Sequence, residues 1–244
     1  MRPVRRGNSP ISGNYSDYEN AKPNLISRIG GYCSFCERRI PTNLAVEHIQ
    51  AKALSQYSHL IGTWTNFLLA CVNCNSTKGK KDVILSNILL PDRDNTFSAF
   101  SYIADGRIEP SNLAIIKGLT KLAQDTLTLT GLDKKISVAL DENGKESAID
   151  RVAQRKEAWL TAQRAKGHIV KQPDNSILKE QVIETAKQCG FFSIWMTVFE
   201  DNADMRNRLI DAFSGTRDSG CFDINAKPIS PAPNPDGLAN GGKI

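Results

Sequence analysis

The apolar positions change rhythm along the chain. Between Leu25 and Asp94 they fall in short runs, "LAVEHI" (44–49) and "NFLLAC" (66–71) among them, broken by turn-forming residues. Runs of that length predict short strands packed around something small. "FSYIA" and "RIEP" flank Asp105-Gly106, a pair that favours a tight reversal and so predicts a hairpin. Beyond it the spacing turns helical. Leu178, Val182, Ala186 and Cys189 share one face of "ILKEQVIETAKQCG", with Gly190 as its stop. Ile149, Val152 and Ala153 oppose a charged face in "AIDRVAQRKEAWLTAQRAKG", and Met205, Leu209 and Phe213 recur every four residues in "DMRNRLIDAF". The pattern predicts an α+β protein with its strands first and a mainly helical C-terminal part.

This rhythm divides the chain into four. Residues 1–24 carry few large apolar side chains and predict a flexible arm. Residues 25–95 hold the short strands, and 96–225 hold the hairpin and the helices. Residues 226–244, with "KPISPAPNPDGLANGGKI", are rich in Pro, Gly and Asn and predict a disordered tail. The densest apolar cluster, "GFFSIWMTVF", crowds Phe191, Phe192, Ile194, Trp195, Met196, Val198 and Phe199 together. It reads either as a buried core segment or as a docking face for a partner.

Composition adds only bounds. The 244 residues are 40% hydrophobic and 23% charged, ordinary globular usage that suffices for one large domain or two small ones. No run approaches the roughly 20 apolar residues of a membrane-spanning helix. "MRPVRRGNSP" has no apolar stretch behind its arginines, so the expectation is a cytoplasmic protein with no membrane partner. Lys and Arg (31) exceed Asp and Glu (26), a net charge of +5 that permits a polyanionic partner without requiring one.

The cysteines change the picture more. Four of the six form two Cys-x-x-Cys pairs, Cys33/Cys36 and Cys71/Cys74, separated by the 34 residues from Glu37 to Ala70. Two intervening residues let both thiolates of a pair face one point, and two such pairs can surround a zinc ion tetrahedrally. Buried thiols or a redox dithiol are the other readings, although a redox motif needs only one pair. With all four positions taken by sulfur, such a zinc folds the chain and has no place for water. Any catalyst lies elsewhere. Cys189 and Cys221 have no partner motif.

Between the pairs, Glu47 directly precedes His48. In a strand these neighbours point to opposite faces, so both reach one site only where the strand ends or bulges. Asn75 follows Cys74 and is, by residue type, a candidate helix N-cap as much as a candidate ligand. Lys78, Lys80 and Lys81 come just after it. His59 and His168 lie outside this pattern and read as exposed or structural.

Taken in order, Cys-x2-Cys, Val-Glu-His-Ile, Trp-x-Asn-Phe-Leu-Leu-Ala-Cys-x2-Cys-Asn-x2-Lys-Gly resembles the zinc-containing HNH endonucleases over about residues 31–82. The resemblance implies a ββα-metal finger, treble-clef-like around a zinc held by the four cysteines, followed by the helical domain. It implies that His48 is the general base and that Glu47 and Asn75 are ligands of a catalytic Mg²⁺ or Mn²⁺ ion. It also implies that Asn66 fixes the loop holding the histidine, that Trp64 packs beside it as core, and that Lys78 contacts phosphate. Many HNH relatives have His-x2-Pro where this chain has His48-Ile49-Gln50-Ala51, so the turn after the base lacks its proline.

The chemistry asks for these types. Hard oxygen ligands hold a divalent ion on a phosphodiester, and a histidine takes a proton near neutral pH. The implied activity is hydrolysis of DNA to 5′-phosphate and 3′-hydroxyl ends. "ILLPDRDN … DGRIEP", "LTLTGLD" and "AIDRVAQRKEAW" are similar in layout to HNH nucleases paired with AAA or ABC-type ATPases in bacterial anti-phage systems of the Septu and retron-associated kind. That likeness implies an ATPase protein partner and a role in antiviral defence. The rival readings are a zinc-dependent nucleic-acid or protein binding module with vestigial catalysis, and an RNase on the same finger.

Overall fold

The computed structural model describes residues 1–134, 139–140, 146–147 and 151–244, so Ile149 lies outside the described residues. The fold is α+β, with small two-stranded sheets and a helical C-terminal part. Helix α1 (Lys22–Ile29) carries Pro23 in its first turn and buries Leu25 and Ile29. Strands β1 (Ala45–His48) and β2 (Phe67–Ala70) pair antiparallel from Ala45↔Ala70 to His48↔Phe67. Helix α2 (Val72–Lys78) follows at once, so the order is ββα.

β2 is buried on both faces, which explains its unbroken apolar run. Phe67 and Leu69 pack with Val4, Tyr15, Leu25, Ile29, Val46 and Trp64, while Leu68 and Ala70 face the side that holds the cysteines. Trp64 is core as expected, and its Nε1 donates to Gly7 O at 2.8 Å.

Past the finger, α3 (Thr96–Ala99) begins under the Asn95 side chain and leads into the hairpin of β3 (Phe100–Tyr102) and β4 (Ile108–Pro110). Gly106 turns that hairpin at φ 88°, and a Cβ there would lie 2.4 Å from Val152 O, so only glycine fits. α4 (Asn112–Ile116) is capped by Ser111, and α5 (Thr120–Thr130) ends at left-handed Gly131. A short pair, β5 (Ala139–Leu140) with β6 (Glu146–Ser147), precedes α6 (Arg151–Lys171). α7 (Ser176–Cys189) runs from an Asn175 cap to Gly190, its expected stop. α8 (Phe192–Val198) and the Asn202-capped α9 (Ala203–Ala212) complete the helical part. Among the described residues no helix is long and apolar enough to cross a membrane.

One open reading closes and three expectations change. "GFFSIWMTVF" is interior: Phe192, Trp195, Met196 and Phe199 are fully buried, so α8 is a core helix and offers no docking face. Full burial of each such side chain contributes about 1.5–3 kcal/mol. The 95/96 boundary is no break in packing either, because one apolar core runs from the cysteines through Leu89 and Phe100 to α8 and α9.

The N-terminal residues are not a loose arm. Met1, Val4 and Arg6 are buried, with Val4 N donating to Pro91 O and Arg5 N to Gly215 O. Arginines do the packing that apolar side chains do elsewhere. Arg2 donates to Ser214 O at 2.7 Å, and Arg6 donates to Thr65 O at 2.8 Å and pairs with buried Asp92 at 2.8 Å.

The tail is ordered by the same means. Gly242 N donates to Arg93 O, Ala232 N to Ile244 O, and Lys243 Nζ to Leu85 O and Ile88 O. Few apolar side chains therefore did not mean few partners, because backbone and guanidinium donors found buried carbonyls.

Candidate functional site

The Sγ atoms of Cys33, Cys36, Cys71 and Cys74 all lie within 4.8 Å of one another, and all four residues are buried. The first pair sits on a turn closed by Cys33 N to Arg38 O and Glu37 N to Cys33 O, with Glu37 at φ 64°. The second pair is set by α2, for which Cys71 is the N-cap residue. Cys36 and Cys71 sulfurs are 3.7 Å apart. A tetrahedral zinc with bonds of about 2.3 Å needs an edge of about 3.8 Å, which this edge matches, so the cluster could hold the ion. All four cysteines are free of disulfides. Bare, four sulfurs this close cannot all ionise. Burial pushes the Cys33 thiol well up, whereas hydrogen bonds from the neighbouring thiols hold Cys71 far down. A cation between them removes that conflict.

Beside the cage, the end of the hairpin opens into a cleft of about 240 Å³ lined by Tyr18, Glu19, Glu47, His48, Lys52, Asn75, Lys78 and Lys80, among others. β1 ends at His48, which is how neighbours on opposite faces reach one cleft: Glu47 lies opposite Leu68 and His48 opposite Phe67. His48 Nε2 is 2.9 Å from Ile61 O. A carbonyl only accepts, so Nε2 carries the proton and Nδ1 keeps the lone pair. The rings of Tyr18 and Phe67 meet the imidazole edge-on at 4.7 and 5.2 Å. Burial lowers the His48 pKa below its ordinary value, favouring the neutral ring.

Glu47 is buried, and its Oε1 lies 2.8 Å from Lys78 Nζ in an ion pair where both side chains are 3% exposed. Burial raises the Glu47 pKa and the lysine opposes that rise. Lys78 is therefore not an open phosphate hook in this arrangement; it is the counter-charge of Glu47. Lys80 and Lys81 are exposed, as are His59 and His168. Asn75 does not start the helix. Cys71 holds the N-cap position, and Asn75 N donates to Cys71 O at 3.0 Å one turn inside α2. Its half-buried side chain is thus free of capping duty and lines the cleft.

Asn66 is buried behind His48. Its Oδ1 accepts from Gln50 N at 2.8 Å and its Nδ2 donates to Gln50 O at 3.1 Å. That exchange stiffens the turn after His48, where this chain lacks a proline. Asn66→Ala leaves buried donors and acceptors unpaired, at about 1–3 kcal/mol per group. We expect a stability loss of about 2 kcal/mol in urea denaturation, and a disordered His48 side chain in the variant's NMR spectrum.

The structure brings Glu47, His48, Asn75 and Lys78 to one cleft, with Asn66 directly behind it. Sequence reasoning missed Tyr18, Glu19 and Lys52, since nothing local ties residues 18–19 to a histidine thirty positions on. It also missed Arg38 and Arg151, whose guanidinium groups donate to Cys71 Sγ and Cys74 Sγ. The only signal for Arg38 was its place just past the first cysteine pair. Compared with known protein families the chain matches none, and no characterised protein is significantly similar to it in sequence.

Proposed function

We propose that this protein is a zinc-stabilised, metal-dependent endonuclease of the HNH kind that hydrolyses DNA. The observation that carries the reading is the His48 hydrogen bond. With Nε2 donating to Ile61 O, the free Nδ1 lone pair belongs to a neutral, positioned base in a cleft that also holds a buried carboxylate and a free carboxamide. A binding module has no need of that combination.

The donor set fits a hard cation: Glu47 offers carboxylate oxygens and Asn75 an amide oxygen, with no soft ligand among the residues lining the cleft. When bound there, a Mg²⁺ or Mn²⁺ ion would neutralise the phosphate and stabilise the leaving 3′-oxygen. His48 Nδ1 takes the proton of the attacking water, and the Ile61 carbonyl stabilises the imidazolium that results. Tyr18 and Phe67 keep the ring from turning. Exposed Lys52 and Lys80 give the cleft mouth a positive rim for a phosphodiester. Lys78 keeps Glu47 ionised against the pull of burial until a cation arrives. A partnership with an ATPase in antiviral defence remains part of this reading, on a surface other than α8.

Asn75→Ala separates ligand from scaffold. Because Asn75 caps nothing, its loss should change stability by less than about 0.5 kcal/mol, as for a substitution away from caps and core. Mn²⁺ affinity, read by calorimetry, should fall at least about tenfold, as when one ligand of a hard-ion site is lost. Unaltered Mn²⁺ binding would remove Asn75 from the ligand set.

A further inference from the structure

The sulfur cage has charged neighbours that a zinc reading alone leaves unused. Arg38 Nη2 donates to Cys71 Sγ at 3.2 Å and Arg151 Nη1 to Cys74 Sγ at 3.0 Å. Each guanidinium is anchored from its far side. Arg38 donates to Gln154 Oε1 and Asn73 Oδ1, both at 3.0 Å. Arg151 donates to Thr130 O at 2.9 Å and Gly131 O at 2.7 Å. The two come from opposite sides of one junction: Arg38 leaves the finger and reaches α6 through Gln154, and Arg151 opens α6 and reaches back to the finger.

A zinc ion held by four thiolates leaves a net charge of about −2 in a buried place. Buried charge is costly unless it is opposed and hydrogen-bonded. Two guanidinium groups supply the opposing charge, and their forked geometry lets one side chain hold a sulfur and a carbonyl together, which a lysine cannot match.

We infer that Arg38 and Arg151 are the positioning residues that retain zinc, neutralising the cage and tying its occupancy to the seating of α6 on the finger. The inference rests on the zinc reading of the four cysteines. Its test is zinc transfer from the purified full chain to the chromogenic chelator 4-(2-pyridylazo)resorcinol, after the zinc per chain has been counted by mass spectrometry. Wild type should hold one zinc. Arg38→Gln and Arg151→Gln should each release it about 10- to 100-fold faster, the range carried by groups that hydrogen-bond to metal ligands. The corresponding lysine variants should lie between. Arg164→Gln should leave the release rate unchanged, because Arg164 is exposed further along α6 and donates to Thr161 Oγ1 within the same helix.

Should a glutamine variant fail to fold, the Co²⁺-substituted lysine variants carry the test. Their thiolate-to-cobalt charge-transfer band should shift from that of wild type as the N–H donor to sulfur changes. Zinc-loaded wild type with glutamine variants that release at the same rate, or an unmoved band, would overturn the inference alone. A wild type without zinc would overturn the reading of the cysteines, and this inference with it.

Discussion

His48→Ala should lose between about 10² and 10⁴ of the plasmid-nicking rate, the range that a positioned general base contributes. The fold should survive. Among the described residues the imidazole hydrogen-bonds to the Ile61 carbonyl, and the Glu47–Lys78 pair beside it stays intact. Zinc content should match wild type and a cooperative melt should persist at a modestly lower temperature, as for truncation of one buried side chain, which separates loss of chemistry from loss of structure. His48→Gln should be nearly as inactive, since an amide can bond Ile61 O but cannot take a proton at neutral pH.

Removing the metal from the cysteine cage should do the reverse and cost the fold first. Structural zinc in small fingers binds with an apparent free energy of about 10–16 kcal/mol, as large as the whole stability of an ordinary domain. The cage is also the meeting point of β2, α2, the turn at Cys33 and, through Arg151, α6. Cys74→Ser, or exhaustive chelation, should therefore abolish a cooperative melt of the region around β1, β2 and α2. Hydrogen exchange should show loss of protection in Phe67–Ala70 before the helices α7 to α9. A zinc-free protein melting at the wild-type temperature would mean that the four cysteines are buried thiols and nothing more.

What could be read from the letters was whatever one residue type or one spacing decides. Two Cys-x-x-Cys pairs foretold a four-sulfur cluster, Asp105-Gly106 foretold a hairpin, and Gly190 a helix end, because each depends on local geometry. The hairpin of β1 and β2 was legible as two apolar runs, although the burial of β2 on both faces was not. Long-range polar packing was invisible. Arg2, Arg6 and Arg155 are buried by hydrogen bonds to carbonyls far away in sequence, so a polar N-terminus read as loose and nothing in the charged face of α6 announced that Arg155 is buried. Asn75 read equally as cap or ligand until Cys71 proved to hold the cap position. Lys78 read as open to phosphate because no spacing rule announces an ion pair with Glu47 across the finger.

The central claim is that the cleft at the end of β1 cuts DNA with a divalent ion and His48. It is tested most directly by the nicking rate of supercoiled plasmid against Mn²⁺ concentration, for zinc-loaded wild type and His48→Ala purified in parallel. The account predicts saturable, Mn²⁺-dependent nicking that leaves 5′-phosphate ends in wild type and is lost in the variant. Equal rates for the two proteins, or no nicking by wild type at any Mn²⁺ concentration, would contradict it.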